Sequence, residues 1–338
     1  MTSTPEPWQQ REYWPTHGWW ISSPKAQGMD SALLQRAGNH IRAQLPNVLS
    51  LLVTRHGSLV FEQYYYEHTQ ATRFGILSAT KSVISALVGT ALQNQLLPDL
   101  ERTMLSFFPA LDTATVDPRK RAITLAHLLT MTAGFGWNDD DAMWLWPRDT
   151  NWVTASLERP MQDDPGATFK YSNEVSHILS AIVTQTTHMS AEAYAAQQLF
   201  APLGIASAIW EADPLGISLG GWGLFLTARD MAKFGYLYLN QGSWDGTQIV
   251  PAQYVEASTQ AHSAGGYPED GAYGYHWWIT TMGGYHTYFA AGYGGQYIWV
   301  IPVLDVVAVT TARYDLPPEE TQEHRCLLTD FIVPAVIG

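Results

Sequence analysis

A serine and a lysine one helical turn apart form the first candidate site. Ser78 and Lys81 lie in the stretch "SATKSVISALVGTA". If a helix begins near Ser78, Lys81 falls on its apolar stripe. The other members of that stripe, at helical spacing, are Ile84, Val88 and Ala91. Because a buried ammonium is costly, we expect desolvation to lower the pKa of Lys81, so that its amine can take the proton of the Ser78 hydroxyl.

The pattern Ser-x-x-Lys is not specific by itself. It also occurs at Ser22 and Lys25, where Pro24 and the lack of an immediate apolar repeat indicate a loop. A purely structural lysine remains the alternative at Lys81. A predicted β-hairpin just upstream and the apolar stripe favour catalysis.

Tyr171 is the candidate for a second proton-transfer group. It lies in "PGATFKYSNEVSH", after a Pro-Gly turn and just before a predicted helix, where a hydroxyl can face a cleft. The pattern Tyr-x-Asn also occurs at Tyr238 and Asn240, but there it lies late in a predicted helix, where an aromatic side chain is typical of the core. Simple packing is the alternative for Tyr171 as well.

Four segments together resemble the serine β-lactamase and penicillin-binding-protein superfamily. They are "SATKS" from Ser78, "HLLTMTAG" from His127, "PGATFKYSN" up to Asn173 and "GGWGLFLTARDMAKFG" from Gly220. The order matches over roughly residues 30 to 313, and the class-C-like serine hydrolases, which include esterases and 6-aminohexanoate-dimer hydrolases, are the branch that looks most similar.

The resemblance implies a role for each matching residue. Ser78 would be the acylated nucleophile, Lys81 its base and Tyr171 the second acid/base. Asn173 would hydrogen-bond the substrate or the catalytic network.

The third motif of the family departs from its usual form. Members that act on β-lactams or peptidoglycan carry Lys-Thr-Gly or His-Thr-Gly on the strand at the cleft edge. Here that slot is the tripeptide "AAG" ending at Gly292, followed by Tyr293, Gly294 and Gly295, so neither a cation nor a hydroxyl is available. The glycines permit close backbone approach, and we expect the Tyr293 N–H to form an oxyanion hole with the Ser78 N–H. The alternative is a glycine-rich turn without such a role.

Ser218 lies in a second serine pattern, "GISLG". In an α/β-hydrolase such a serine joins a strand to a helix. Here an Asp-Pro pair precedes the motif and "GGWG" follows it, so a loop at the same cleft is the better interpretation, with Trp222 as a wall residue.

Tryptophans cluster after "TMTAGFG", at Trp137, Trp144, Trp146 and Trp152. Core packing is the ordinary role of such residues. The Asp-rich, irregular segment and the resemblance instead suggest an aromatic wall for an apolar acyl or amine chain, with Trp137 as the leading candidate.

The order of predicted elements is strands, a helical middle and strands again. A helix is predicted over Ser31–Gln44, a hairpin turn at His56-Gly57, and a capping pair of Thr227 and Asp230 for the helix "ARDMAKFGYLYL". The end of the chain gives further strands, among them "YGYHWWITTM", and a last helix around Glu319–Ile332. We therefore predict an α+β fold with an antiparallel sheet flanked by helices. Residues 1–95 and 225–338 would build the sheet region from both chain ends, and residues 96–224 a mainly helical region. The active site would lie between them.

The amino-acid composition limits the kinds of binding partner and cofactor that we expect. The 338 residues carry a net charge of −13, which disfavours nucleic acid and anionic membranes. Cys326 is the only cysteine and the histidines show no ligand spacing, so we expect no metal and no cofactor. Without a visible signal peptide, we expect a cytoplasmic protein.

The sequence thus predicts a metal-free serine hydrolase that works through an acyl-enzyme on a small ester or linear amide. A β-lactamase or D,D-peptidase, or a non-catalytic module with the same fold, are the alternatives. The oligomeric state is left open.

Overall fold

The computed structural model describes residues 11–136, 143, 146–147, 149–316 and 324–337. The strands are β1 (Trp20–Ile21), β2 (Val48–Arg55), β3 (Ser58–Tyr64), β4 (Arg73–Gly75), β5 (Ile209–Trp210), β6 (Leu224–Thr227), β7 (Ser243–Trp244), β8 (Thr247–Gln248), β9 (Ala272–Tyr273), β10 (Trp278–Met282), β11 (Tyr285–Gly292), β12 (Gln296–Ile301) and β13 (Val306–Ala312). The α-helices are α1 (Ser31–Gln44), α2 (Thr80–Gln93), α3 (Leu125–Leu129), α4 (Trp152–Glu158), α5 (Asn173–Thr187), α6 (Ala191–Ala195), α7 (Ala201–Leu203), α8 (Ala228–Leu239), α9 (Ala252–Ser258) and α10 (Val333–Ala335).

The main sheet has eight strands in the order β1-β3-β2-β13-β12-β11-β10-β9. Strands from both chain ends meet where β2 pairs with β13. Tight turns with positive φ at His56 and Gly57 close the β2–β3 hairpin, as the twist of a two-residue hairpin requires. Every pairing is antiparallel except that of β1 with β3, which is parallel. The α+β class is confirmed, and the boundaries at residues 95/96 and 224/225 stay a prediction.

Helices cover both faces of the sheet. Gly235 of α8 lies against Ile298 and Val300, which point to one face of β12. On the other face, Gly38 of α1 lies against Phe61 of β3. Since both faces are covered, β2, β12 and β13 are buried along their whole length.

Helix α2 is buried on all sides rather than along one stripe. Every residue from Thr80 to Ala91 is buried, because α2 packs against β11 on one side and against α5 and α6 on the other. A lysine on any face of this helix would therefore lie in the interior.

Two predicted elements differ from the structure. The run "YGYHWWITTM" is not one strand, since β9 ends at Tyr273 and β10 begins at Trp278. His276 interrupts it with a φ of 61°, and its Nδ1 lies 2.9 Å from the Leu129 carbonyl oxygen. Of the last helix, predicted over Glu319–Ile332, residues 319–323 lie outside the described residues, and the described part contains a π-helical segment, Leu327–Ile332, that leads into α10.

In the described segments, no helix combines the length and the apolar character needed to cross a bilayer.

Candidate active site

Ser78 lies where a short strand turns into a buried helix. The chain leaves β4, makes a 3₁₀ turn over Leu77–Ala79 and continues as α2. The Ile76 N–H donates to the Leu224 carbonyl at 2.9 Å, which ties the entry of the turn to β6. Leu77 has a φ of 49°, a left-handed conformation that is unfavourable for a branched residue and recurs at functional sites. The turn leaves Ser78 partly exposed.

Lys81 is almost completely buried, with 1% of its surface exposed. Its Nζ lies 3.1 Å from the Ser78 Oγ, 2.6 Å from the Asn173 Oδ1 and 2.8 Å from the Gly221 carbonyl oxygen. The nearest acceptors are therefore neutral.

Burial lowers the pKa of Lys81 to about 7, although the charge of Glu174 acts in the opposite direction. A neutral amine has two N–H donors and one lone pair. The two donors match the Asn173 and Gly221 oxygens, which leaves the lone pair for the Ser78 O–H. This arrangement is compatible with a neutral Lys81 amine that accepts the Ser78 proton, and that role stays a prediction.

Two separate segments supply those oxygens. Asn173 is the first residue of α5, whose N-cap is Ser172 with its Oγ 3.2 Å from the Val175 N–H. Gly221 follows in a loop that touches the start of α5 so closely that an added Cβ would lie 2.7 Å from the Asn173 Oδ1. A side chain at this position would push the Gly221 carbonyl away from Lys81.

Tyr171 lies beside the same pair. Lys81 Nζ sits 4.7 Å from the centre of its ring. Burial raises the pKa of Tyr171 well above its ordinary value, and a hydrogen bond with the Ser78 side chain only partly opposes this. The ring stacks on Trp278 at 5.8 Å and meets Tyr273 edge-on at 6.3 Å. The phenol therefore stays protonated at neutral pH, in a fixed orientation next to Ser78.

The glycine-rich turn after β11 comes close to the same 3₁₀ turn. An added Cβ on Gly292 would lie 2.2 Å from the Ile76 carbonyl oxygen, so only glycine allows this approach. The Tyr293 side chain is 47% exposed. Gly294 and Gly295 complete the turn with positive φ. The roles of Gly292, Tyr293, Gly294 and Gly295 stay predictions.

Three tryptophans contact one another in a row that begins next to Gly221 in the chain, and their role as a substrate wall stays a prediction. Trp222 lies 6.4 Å from Trp152, and Trp152 lies 6.4 Å from Trp146 in an edge-on arrangement. Trp137 and Trp144 lie outside the described residues, so their predicted role stays open.

A cavity of about 860 Å³ lies beside β4, the strand that leads to Ser78. Phe74, Phe225 and Tyr314 line it together with Arg73 and Arg313. Its lining among the described residues ends at Gly75, so it adjoins the candidate site without including it.

The competing serine is held in a structural role. Ser218 is 2% exposed, and its Oγ accepts the Glu192 N–H at 3.1 Å. Its carbonyl accepts the Ser180 hydroxyl at 2.6 Å. It is thus a buried loop residue. Among the described residues, no cluster of His, Cys, Asp or Glu side chains is arranged to hold a metal ion.

Two residues near Lys81, Gly221 and His276, were not predicted from the sequence as part of the site. The Gly221 carbonyl could have been suspected from the Gly220-Gly221 pair, which signals close backbone approach. His276 carries no local signal. It is buried, its Nε2 lies 3.1 Å from the Ser176 Oγ, and burial together with the charge of Lys81 lowers its pKa to about 3.

Comparison with known proteins agrees with this architecture. The sequence model of the Beta-lactamase family matches residues 39–328, and the chain belongs to this family of hydrolases. It is 24% identical over 295 residues to the 6-aminohexanoate-dimer hydrolase of Paenarthrobacter ureafaciens. The aligned residues cover 79% of this chain and 73% of that protein.

Solved structures share the fold. EstCE1, a hydrolase with promiscuous acyltransferase activity, has a TM-score of 0.72 at 16% identity, over 91% of this chain and 98% of its own. The octameric penicillin-binding protein homologue from Pyrococcus abyssi has a TM-score of 0.70 at 19% identity, over 90% and 78% of the two chains. The predicted family resemblance is confirmed.

Proposed function

We propose that the protein is a metal-free serine hydrolase that cleaves a carboxylic ester or a linear amide through an acyl-enzyme. The observation that carries the proposal is the Lys81 amine, which is buried among neutral acceptors 3.1 Å from the Ser78 Oγ, with a pKa of about 7.

In the acylation step, the neutral Lys81 amine takes the proton of the Ser78 hydroxyl as Oγ attacks the carbonyl carbon. The carbonyl π electrons move to oxygen and give an oxyanion, which the Ser78 and Tyr293 N–H groups would stabilise. The Tyr171 phenol donates its proton to the leaving alkoxide or amine, and the tetrahedral intermediate collapses to the acyl-enzyme. The ammonium of Lys81 then returns its proton to the phenolate.

In the deacylation step, water takes the place of the leaving group. The Tyr171–Lys81 pair accepts a proton from water as its oxygen attacks the acyl carbon. Collapse of the second tetrahedral intermediate returns a proton to the Ser78 Oγ and releases the acid. Neither step needs a metal ion or an external oxidant.

Two alanines on β11 support this substrate class. Ala290 and Ala291 on β11 are buried and offer neither a cation nor a hydroxyl to a substrate carboxylate. This favours a neutral ester or amide over a penicillin or a peptidoglycan stem. The wall of Trp222, Trp152 and Trp146 would receive an apolar chain.

A fluorophosphonate probe followed by peptide mass spectrometry tests the nucleophile. We expect label on Ser78, none on Ser218, and loss of label in Ser78→Ala but not in Ser218→Ala. Failure of the folded wild-type protein to react would favour a non-catalytic module with this fold.

A substrate comparison tests the class. We expect turnover of p-nitrophenyl esters or of linear amides with little or no opening of a chromogenic cephalosporin. Faster hydrolysis of the cephalosporin than of every ester and amide would instead assign the β-lactamase alternative.

A further inference from the structure

Three successive carbonyls of the glycine-rich turn are held by buried side chains. The Gln296 Nε2 lies 3.4 Å from the Tyr293 oxygen, the Asn47 Nδ2 lies 3.2 Å from the Gly294 oxygen, and the Thr310 Oγ1 lies 2.8 Å from the Gly295 oxygen. The three donors, Asn47, Gln296 and Thr310, are each 0% exposed. We call these three side chains the carbonyl clamp.

Two members of the carbonyl clamp, Gln296 and Asn47, are themselves fixed by further hydrogen bonds. The Gln296 amide makes a pair of hydrogen bonds with the backbone of Ala312, at 2.7 Å to its carbonyl and 3.0 Å from its N–H. The Asn47 Nδ2 also lies 3.0 Å from the His324 Nε2. Since burial lowers the pKa of His324 to about 4, its neutral ring can accept that bond and fix which way the Asn47 amide points.

The clamp acts on the Tyr293 N–H indirectly, by fixing the peptide groups on both sides of Gly295. In a planar trans peptide, the C=O and the N–H point in opposite directions. Asn47 holds the Gly294 carbonyl, so the Gly295 N–H points the other way and donates to the Gly292 carbonyl at 3.2 Å. With the Gly292 carbonyl turned inward, the Tyr293 N–H must point outward.

The outward-facing amide lies next to the nucleophile segment. Within the described ranges, the Tyr293 N–H donates to no protein acceptor. The backbone of its neighbour Gly292 touches the Ile76 carbonyl, two residues before Ser78. An unused N–H beside a nucleophile matches the requirements of an oxyanion donor.

We propose that Asn47, Gln296 and Thr310 are positioning residues that hold the Tyr293 N–H in the orientation needed to bind the oxyanion. This inference rests on the proposed function, since it names the groups that orient one of its donors. The three residues touch neither substrate nor Ser78.

Strand β13 offers a matched pair of variants. Thr310→Val removes the hydroxyl that holds Gly295 and keeps the side-chain shape. Thr311→Val removes a hydroxyl of the same buried strand whose partner is the Ser50 Oγ at 2.7 Å and not a carbonyl of the turn. Both variants lose one buried hydrogen bond, so their stabilities should fall by similar amounts.

The readouts are kcat and KM for an aryl ester, and the ratio of kcat/KM for that ester to the value for its thionoester. Sulfur accepts hydrogen bonds poorly, so this ratio reports on the oxyanion hole and not on folding. Full removal of an oxyanion donor costs a factor of about 100 to 1000, so we expect its displacement in Thr310→Val to lower kcat about tenfold. KM should stay within about twofold, and the oxygen-to-sulfur ratio should fall in parallel with kcat.

Rescue and a second site complete the design. Thr310→Ser keeps the hydroxyl and should restore both kcat and the ratio. If Thr310→Val does not fold, Asn47→Leu gives the same test through the Gly294 carbonyl.

The two hypotheses fail differently. In an active enzyme, Thr310→Val and Thr311→Val could have the same kcat and the same ester-to-thionoester ratio of kcat/KM. That result would overturn the positioning role alone. Absence of both turnover and probe labelling in the wild-type protein would overturn the proposed function and the positioning role with it.

Discussion

Replacing Asn173 by Asp should move the pH dependence of the enzyme. The Asn173 Oδ1 lies 2.6 Å from the Lys81 Nζ, so the variant places a carboxylate in contact with the amine. A negative charge favours the protonated form and therefore raises the pKa of Lys81. The fraction of neutral amine at a given pH then falls.

The size of the effect follows from the distance. An opposite charge within about 4 to 6 Å shifts a pKa by roughly 1 to 3 units. A rise of about two units would move the acidic limb of kcat/KM from near 7 to about 9, and lower the rate at pH 7 about fiftyfold. Near pH 10 most of the wild-type rate should return.

The assay is the pH profile of kcat/KM for an aryl ester from about pH 5 to pH 10, corrected for spontaneous hydrolysis. Asn173→Leu is the matched control, because it removes the same amide without adding charge. It should lose activity without moving the limb upward. An acidic limb that stays at the wild-type pH in Asn173→Asp would refute the assignment of Lys81 as the base.

Three further predictions address neighbouring residues. Tyr171→Phe should lower kcat by about 100-fold to 1000-fold, with a melting temperature close to that of the wild type because the ring keeps its contacts with Trp278 and Tyr273; near-normal turnover would exclude Tyr171 as the acid. The pKa of Lys81 is about 7 in the folded protein and about 10.4 in the unfolded chain. Between these two pH values the unfolded chain binds more protons than the folded protein. The free energy of unfolding should therefore rise with pH across that window. Urea titrations at the low-pH and high-pH ends of this window should show the rise in the wild type and a smaller rise in Lys81→Met. Equal slopes of the unfolding free energy against pH in the two proteins would count against the lowered pKa of Lys81. Trp152→Ala should raise KM for a long-chain ester about tenfold and for the acetyl ester little, by loss of apolar contact, whereas equal changes would exclude the aromatic wall.

Local structure could be predicted from the sequence wherever the residues of one short segment determine it. Ser31–Gln44 is helical as predicted, with Asp30 as its N-cap. The hairpin at His56-Gly57 and the cap of α8 at Thr227 also follow from short-range patterns. The neighbourhood of Ser78 and Lys81 could be predicted because both residues lie on one helical turn.

Contacts between distant segments could not be predicted in the same way. The apolar stripe predicted for α2 indicated one buried face, but helices from another part of the chain cover the rest. The strand "YGYHWWITTM" has the right composition for continuous pairing, yet His276 is drawn to the Leu129 carbonyl and interrupts it. The carbonyl clamp joins residues as far apart as Asn47 and Gly294, and no periodicity encodes that contact.

The partners of Lys81 come from widely separated parts of the chain. Asn173 lies 92 positions away and Gly221 lies 140 positions away. During synthesis, the amine would thus keep the properties of an ordinary surface lysine until both segments have docked. The nascent polypeptide would be chemically inert towards esters, so that the onset of turnover marks completion of the tertiary structure. The rate at which turnover recovers during refolding would then report the rate at which the last of these segments docks.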